Sequence, residues 1–118
     1  MRMNYVLDTC DLQGAARFWS AALGMRAAER DHSPYLTLSD PEGRFPPLLL
    51  QQVPEPKQGK NRMHLDLHVE DARAETERLT GLGARVLRPF FEEEGYLLVV
   101  LADPEGNEFC VIEPLDDR

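Results

Sequence analysis

The sequence predicts an α+β fold in which two tandem βαβββ units form an incomplete barrel around a central cleft. Three observations carry this. The stretch from Asn61 to Ala84 reads as a strand, a tight corner and a helix. The first 25 residues read the same way in a degraded form. The turn Asp-Pro-Glu-Gly occurs twice, at 40–43 and 103–106, each time between strand-like runs. Tandem units of this kind pair because neither can bury its sheet face alone.

In the first unit, Met3, Tyr5, Leu7 and Thr9 alternate with Asn4, Val6, Asp8 and Cys10, which predicts a strand. Asp11 is placed to cap a helix. Ala15, Phe18, Trp19 and Ala22 follow at helical spacing, an apolar stripe that would face a sheet, and Gly24 closes the helix. A short strand is expected within Met25 to Arg30, another over Tyr35 to Ser39, and a buried one over Leu48 to Val53. The Phe18–Trp19 pair is expected to pack the helix on the sheet, and Tyr35 and Tyr96 to border the cleft.

Pro54 to Arg62 is polar and rich in breakers, and reads as a linker. Beyond it Met63, Leu65, Leu67 and Val69 alternate with His64, Asp66, His68 and Glu70, a strand with one apolar and one polar face. Asp71 is the next N-cap. Ala72, Thr76, Leu79 and Leu82 form the helix stripe, and Gly83 ends it. A short strand over Arg85 to Leu87 is expected to stop at Pro89. Phe90 to Gly95, with its three glutamates, is expected to be a solvated loop. Tyr96 to Ala102 and Phe109 to Ile112 are the last two strands, and the acidic tail from Pro114 is expected to fray. The repeat thus aligns Asp11 with Asp71, Leu23-Gly24 with Leu82-Gly83, and the two glycine turns with each other.

A chain of 118 residues fits one domain, 1–118, with unit one at about 1–53, the linker at about 54–62 and unit two at about 63–114. The hydrophobic fraction of 42% is enough for a core. A formal net charge of −8 argues against nucleic acid and anionic membrane surfaces as partners. Cys10 and Cys110 fit no paired metal-knuckle spacing and are expected to be reduced thiols. No apolar run approaches a membrane span, and the opening MRMNYVLD has no signal-peptide core, so a cytoplasmic location is expected.

One helix for four strands covers one sheet face of each unit. The residues opposite the helix-facing set then line the cleft: Asn4, Val6 and Asp8 from the first unit, His64, Asp66 and His68 from the second. His64 and His68 are either acid–base groups or polar lining. Asp66 either orients a histidine or belongs to a solvated face. Such a concave surface with a few polar groups suits a small organic molecule. No phosphate loop or nucleophile elbow is present.

The duplicated βαβββ order, HLDLHVED with its capped helix ending in Leu-Gly, and DPEGNEFCVIEP together resemble the vicinal-oxygen-chelate superfamily, which includes glyoxalase I, bleomycin-resistance proteins and extradiol dioxygenases. The resemblance covers nearly the whole chain. It implies a homodimer. It also implies, for the enzymes, one divalent metal held by residues of the first and last strand of each unit. Here those positions match Asn4, His64, Cys110 (where a glutamate is usual) and a residue near Leu50, with Gln51 and Gln52 as alternatives. Only His64 is a usual ligand. Strand neighbours two apart lie about 6.6 Å apart along the axis, so His64, Asp66 and His68 are not expected to chelate one ion together. The expectation is therefore no metal cofactor, with Cys110 joining the cleft lining, and a glyoxalase-like protein that binds and sequesters a drug or metabolite. The alternative is a metal-dependent lyase, isomerase or dioxygenase with an altered ligand set that includes His64. A third reading, a closed cleft in an interaction domain, also remains at this point.

Overall fold

Alternating strand faces and one amphipathic helix settle the architecture of each half of the chain. The computed structural model describes residues 3–115 and divides into two compact units, 1–57 and 58–118. Unit one contains β1 (Tyr5–Thr9), α1 (Leu12–Leu23), β2 (Arg26–Ala27), β3 (Tyr35–Ser39) and β4 (Leu48–Gln52). Unit two contains β5 (Asp66–His68), α2 (Ala72–Gly81), β6 (Arg85–Glu93), β7 (Tyr96–Ala102) and β8 (Glu108–Pro114). The α+β class and the two tandem βαβββ units are as the sequence predicts.

Each unit is a four-stranded mixed sheet with the same strand permutation, β1-β4-β3-β2 in one and β5-β8-β7-β6 in the other. In both, the first and last strands run parallel, β1 with β4 and β5 with β8, and the other pairs are antiparallel. In each unit the helix carries the chain from the first strand to the far edge of the sheet, and the strands that follow return it to lie parallel beside the first.

The helices form where the caps and stripes put them. The carboxylate of Asp11 accepts from the Gly14 amide, and that of Asp71 from the Ala74 amide. A second repeat appears here. Gln52 Oε1 accepts from the Leu12 N–H and Glu113 Oε1 from the Ala72 N–H, so in each unit the last strand supplies an acceptor for the first helical amide. Gly24 ends α1 in the left-handed conformation at φ 65°. After α2, the Ala84 amide bonds to Leu79 O and the Gly83 amide to Thr80 O, the paired bonds of a Schellman ending with Gly83 at positive φ.

Each helix buries one face on its own sheet. Under α1 lie Leu36, Leu38, Leu48 and Leu50, with Phe18 and Trp19 edge to face at 5.0 Å. Under α2 lie Val99, Leu101, Phe109 and Val111, all essentially inaccessible. Burying such side chains is worth roughly 1.5–3 kcal/mol each. The exposed Glu75–Arg78 pair on α2 is worth about 1 kcal/mol at most, so packing and not charge seats this helix.

Four expectations need correction. β6 does not stop at Pro89 but runs on to Glu93. It is an edge strand with register shifts on either side of Arg88, where a missing N–H is tolerated. The glutamate run is therefore strand, closed by a two-residue turn in which Glu94 and Gly95 both take positive φ. Leu82 is 39% exposed rather than part of the α2 stripe, because the helix has already ended. The strand foreseen over 63–69 is regular only at 66–68, whereas the short one expected within 25–30 is found there, at Arg26–Ala27. β8 reaches Pro114, and the Leu115 amide bonds to Gly95 O. The rest of the expected frayed tail, 116–118, lies outside the described residues.

The repeated glycine turns are held by their aspartates. Asp103, 2% exposed, accepts from the Glu105 and Asn107 amides and from the Asn107 side chain. Asp40 accepts from the Glu42, Arg44 and Phe45 amides and from the Arg44 guanidinium. That guanidinium, above all other contacts, lowers the Asp40 carboxyl from 3.8 to about 2. Asp40 therefore stabilises the fold fully above its unfolded value and loses that contribution as pH falls toward about 2. In an acid titration, Asp40→Asn should flatten the stability change in that window; an unchanged profile would contradict this. Asp103→Ala, which strands three donors, should cost about 1–3 kcal/mol in urea unfolding.

Candidate functional site

The face of the second sheet away from α2 carries the polar set. β5 and β8 pair with Asp66 opposite Cys110 and His68 opposite Ile112, so these four side chains share one face. Leu98 and Val100 of β7 continue it, being paired with Ile112 and Cys110. His64 precedes β5 by two residues and points to the same side: its Nε2 lies 3.1 Å from Asp66 Oδ1. The side chains of His64 and Asp66 are 42% and 44% exposed, and Cys110 is half-buried.

Cys110 completes the group. One donor atom from each of His64, Asp66 and Cys110 lies within 4.8 Å of the other two. Burial first, then the Asp66 charge and a hydrogen bond to Asp66, push the Cys110 thiol above its usual value of 9.0. Lys60 acts weakly in the opposite direction and Glu93 in the same one. Near neutral pH Cys110 is thus a thiol donating to a carboxylate and not a standing nucleophile.

The expectation that His64 and Asp66 lie too far apart to share an ion does not hold for their side chains. The 6.6 Å spacing of alternate strand residues is an axial distance. His64 sits before the regular strand begins, which frees its ring to lean over Asp66. Cross-strand proximity of Asp66 and Cys110 was hidden in the sequence because it depends on the β5–β8 register. His68 stays out of the cluster and sets its ring edge-on to Tyr96 at 6.1 Å.

In unit one, Asn4, Val6 and Asp8 are all exposed, Asn4 just before β1 and the other two within it. Val6 pairs with Leu49 and Asp8 with Gln51, on the face away from α1. The parallel register resolves which residue corresponds to Cys110. It is Leu49, since Val6–Leu49 repeats Asp66–Cys110. Leu50 is fully buried under α1 and is no ligand candidate. The first-unit positions of the enzyme-type metal set therefore hold an amide and an aliphatic side chain, which do not fit a divalent ion.

A family model described as a glyoxalase-like domain matches residues 4–112. The chain belongs to the glyoxalase-like domain family. No curated protein matches the sequence. Among solved structures, a glyoxalase/bleomycin resistance protein/dioxygenase family enzyme from Burkholderia phytofirmans is similar, with 17% identity, a TM-score of 0.78, and 95% of this chain and 97% of that chain covered. A glyoxalase family protein from Bacillus cereus has 19% identity, a TM-score of 0.76 and coverages of 98% and 95%. The fosfomycin resistance protein FosX of Listeria monocytogenes has 14% identity, a TM-score of 0.76 and coverages of 96% and 92%. At these identities the likeness speaks for the fold of this glyoxalase-like chain. Among the described residues no helix is long and apolar enough to cross a membrane.

The thiol assignment has a direct check. In Cys10→Ser protein freed of metal by chelator, Asp66→Asn should let Cys110 react with iodoacetamide several-fold faster at mildly alkaline pH, because removing the carboxylate lowers the thiol's pKa. Equal rates would show that Asp66 does not act on Cys110.

Proposed function

We propose that this glyoxalase-like protein binds a small organic molecule on the face of the second sheet away from α2 and sequesters it, without a metal held in the enzyme-type two-unit manner. The observation that carries this is the make-up of that face. Half-exposed His64, Asp66 and Cys110 form a polar end beside apolar Leu98 and Val100, and His68 and Tyr96 offer ring edges. A few polar groups on an apolar surface are what fixes the orientation of a small ligand. The resemblance to bleomycin-resistance proteins supports sequestration and a homodimer.

A second reading, a metal-dependent lyase, isomerase or dioxygenase, is favoured by one observation, the convergence of three donors of different kinds in unit two. Turnover of an aldehyde–thiol adduct or an aromatic diol that stops with chelator and returns with metal would replace sequestration by this reading.

A thermal-shift screen with planar aromatic compounds and aldehyde–thiol adducts tests the leading proposal. A true ligand at a hundred times its Kd should stabilise by about 2.7 kcal/mol. Tyr96→Ala should cut that shift while leaving the fold intact. A panel without any stabiliser, or a shift indifferent to Tyr96 and His64, would contradict the proposal.

A further inference from the structure

We infer that the small molecule held on the face of the second sheet away from α2 is a planar aromatic carboxylate, and that Arg88 is the residue that selects it. This rests on the binding reading proposed above and adds the charge of the ligand and the side chain that reads it.

The irregularity of β6 places Arg88. In a regular strand, residues three apart point to opposite faces. Arg88 and Phe91 are three apart, yet Arg88 pairs with Val100 and Phe91 with Leu98, both on the face away from α2. The register shift between Arg88 and Phe91 makes this possible. It sends Phe90 to the helix side, under the Arg73 guanidinium of α2. Bulges re-aim side chains in this way beside binding sites. The exposed Arg88 then lies over Phe91, its guanidinium carbon 3.5 Å from the ring centroid. At that distance the two planes stack flat, since a guanidinium meeting the ring by its N–H edge holds its carbon farther off. A flat stack engages the face of the guanidinium and leaves its N–H edges free. Among the described residues no carboxylate forms an ion pair with Arg88, whereas Arg44 is paired with Asp40 and Arg78 with Glu75. A fork held in place and left without an acceptor matches the two oxygens of a carboxylate.

The rest of the face sets the shape of the ligand. Arg88, Val100, Cys110 and Asp66 are successive partners across β6, β7, β8 and β5, so they form one row. At about 4.8 Å per strand, Arg88 stands roughly 14 Å from Asp66 along the sheet. A ligand with its carboxylate at Arg88 lays its rings over Val100 and Leu98 and turns its far end to His64 and Cys110. Two fused rings suit that span. Charge favours a single anionic group. The chain carries a net −8, and Glu93, paired with Tyr96, lies on the same face, so a second negative charge on the ligand meets repulsion. A stack that merely shields the edge strand also puts Arg88 over Phe91, but it predicts no preference between ligands that differ only in charge.

The test is calorimetric titration of the full chain at neutral pH with naphthoate and with naphthamide, a pair of nearly equal shape that differs in the charge of one group. Naphthoate should bind about ten-fold tighter or more, the advantage of a charge-assisted hydrogen bond over a neutral one. Arg88→Gln should abolish that advantage and leave naphthamide binding unchanged. Arg88→Lys should keep part of it, because the charge remains and the fork is lost. Phe91→Leu should lower it by freeing the guanidinium. Arg88 is exposed, so its variants should keep the wild-type melting profile by circular dichroism. Equal binding of the two compounds, tighter binding of the amide, or a preference for naphthoate that survives Arg88→Gln would overturn the inference. Naphthamide binding with no gain for naphthoate would leave the binding reading standing and remove only the carboxylate. Failure of both compounds to bind would count against both.

Discussion

One helix per four-stranded sheet is the constraint from which the rest follows. A sheet has two faces, and α1 or α2 can cover only one of its own. In unit two the covered face takes Val99, Leu101, Phe109 and Val111 out of solvent almost completely. The strict alternation of strand side chains then sends Asp66, His68, Leu98, Val100 and Cys110 to the other face. Polar and titratable groups collect there because they have nowhere else to go at acceptable cost. Burying an unpaired carboxylate or imidazole under a helix would cost several kcal/mol. The functional face is thus a by-product of core formation, and chemistry can change on it without touching the packing beneath α2.

The duplication shows which contacts the architecture cannot spare. Sequence likeness between the halves is thin, yet the same side chain–backbone bonds recur. Asp11 and Asp71 cap the helices. Gln52 and Glu113 hold the first helical amides. Asp40 and Asp103 knit the glycine turns. All satisfy backbone donors that the strand-to-helix and strand-to-strand corners leave without partners. On the face away from the helix the paired positions differ in chemistry. Asn4 stands where unit two has His64, Val6 where it has Asp66, and Leu49 where it has Cys110. Unit one has the scaffold and lacks the donors.

Local signals made most of the fold legible. Caps, stripes and the doubled glycine turn each act over a few residues, so α1, α2, β3, β4 and β7 are found near where the pattern places them. β6 was illegible for a physical reason. Pro89 and the acidic run both advertise a loop, but an edge strand tolerates a residue without an N–H, and its outer side welcomes charge. Arg73 of α2 over Phe90 ties the strand to the helix through a ring contact that no local pattern announces. At the site, the polar face of β5 could be read from alternation. The meeting of His64, Asp66 and Cys110 could not, since it turns on the β5–β8 register and on how far an imidazole reaches once the strand has ended.

One-sided coverage can be measured directly by paramagnetic relaxation enhancement of side-chain signals with a small, freely diffusing gadolinium chelate. The account predicts alternation along β7. The methyls of Val99 and Leu101 should be protected and those of Leu98 and Val100 attenuated, and the ring protons of His64 should be attenuated more strongly still. Uniform protection along β7, or a His64 ring as sheltered as Leu101, would contradict the account.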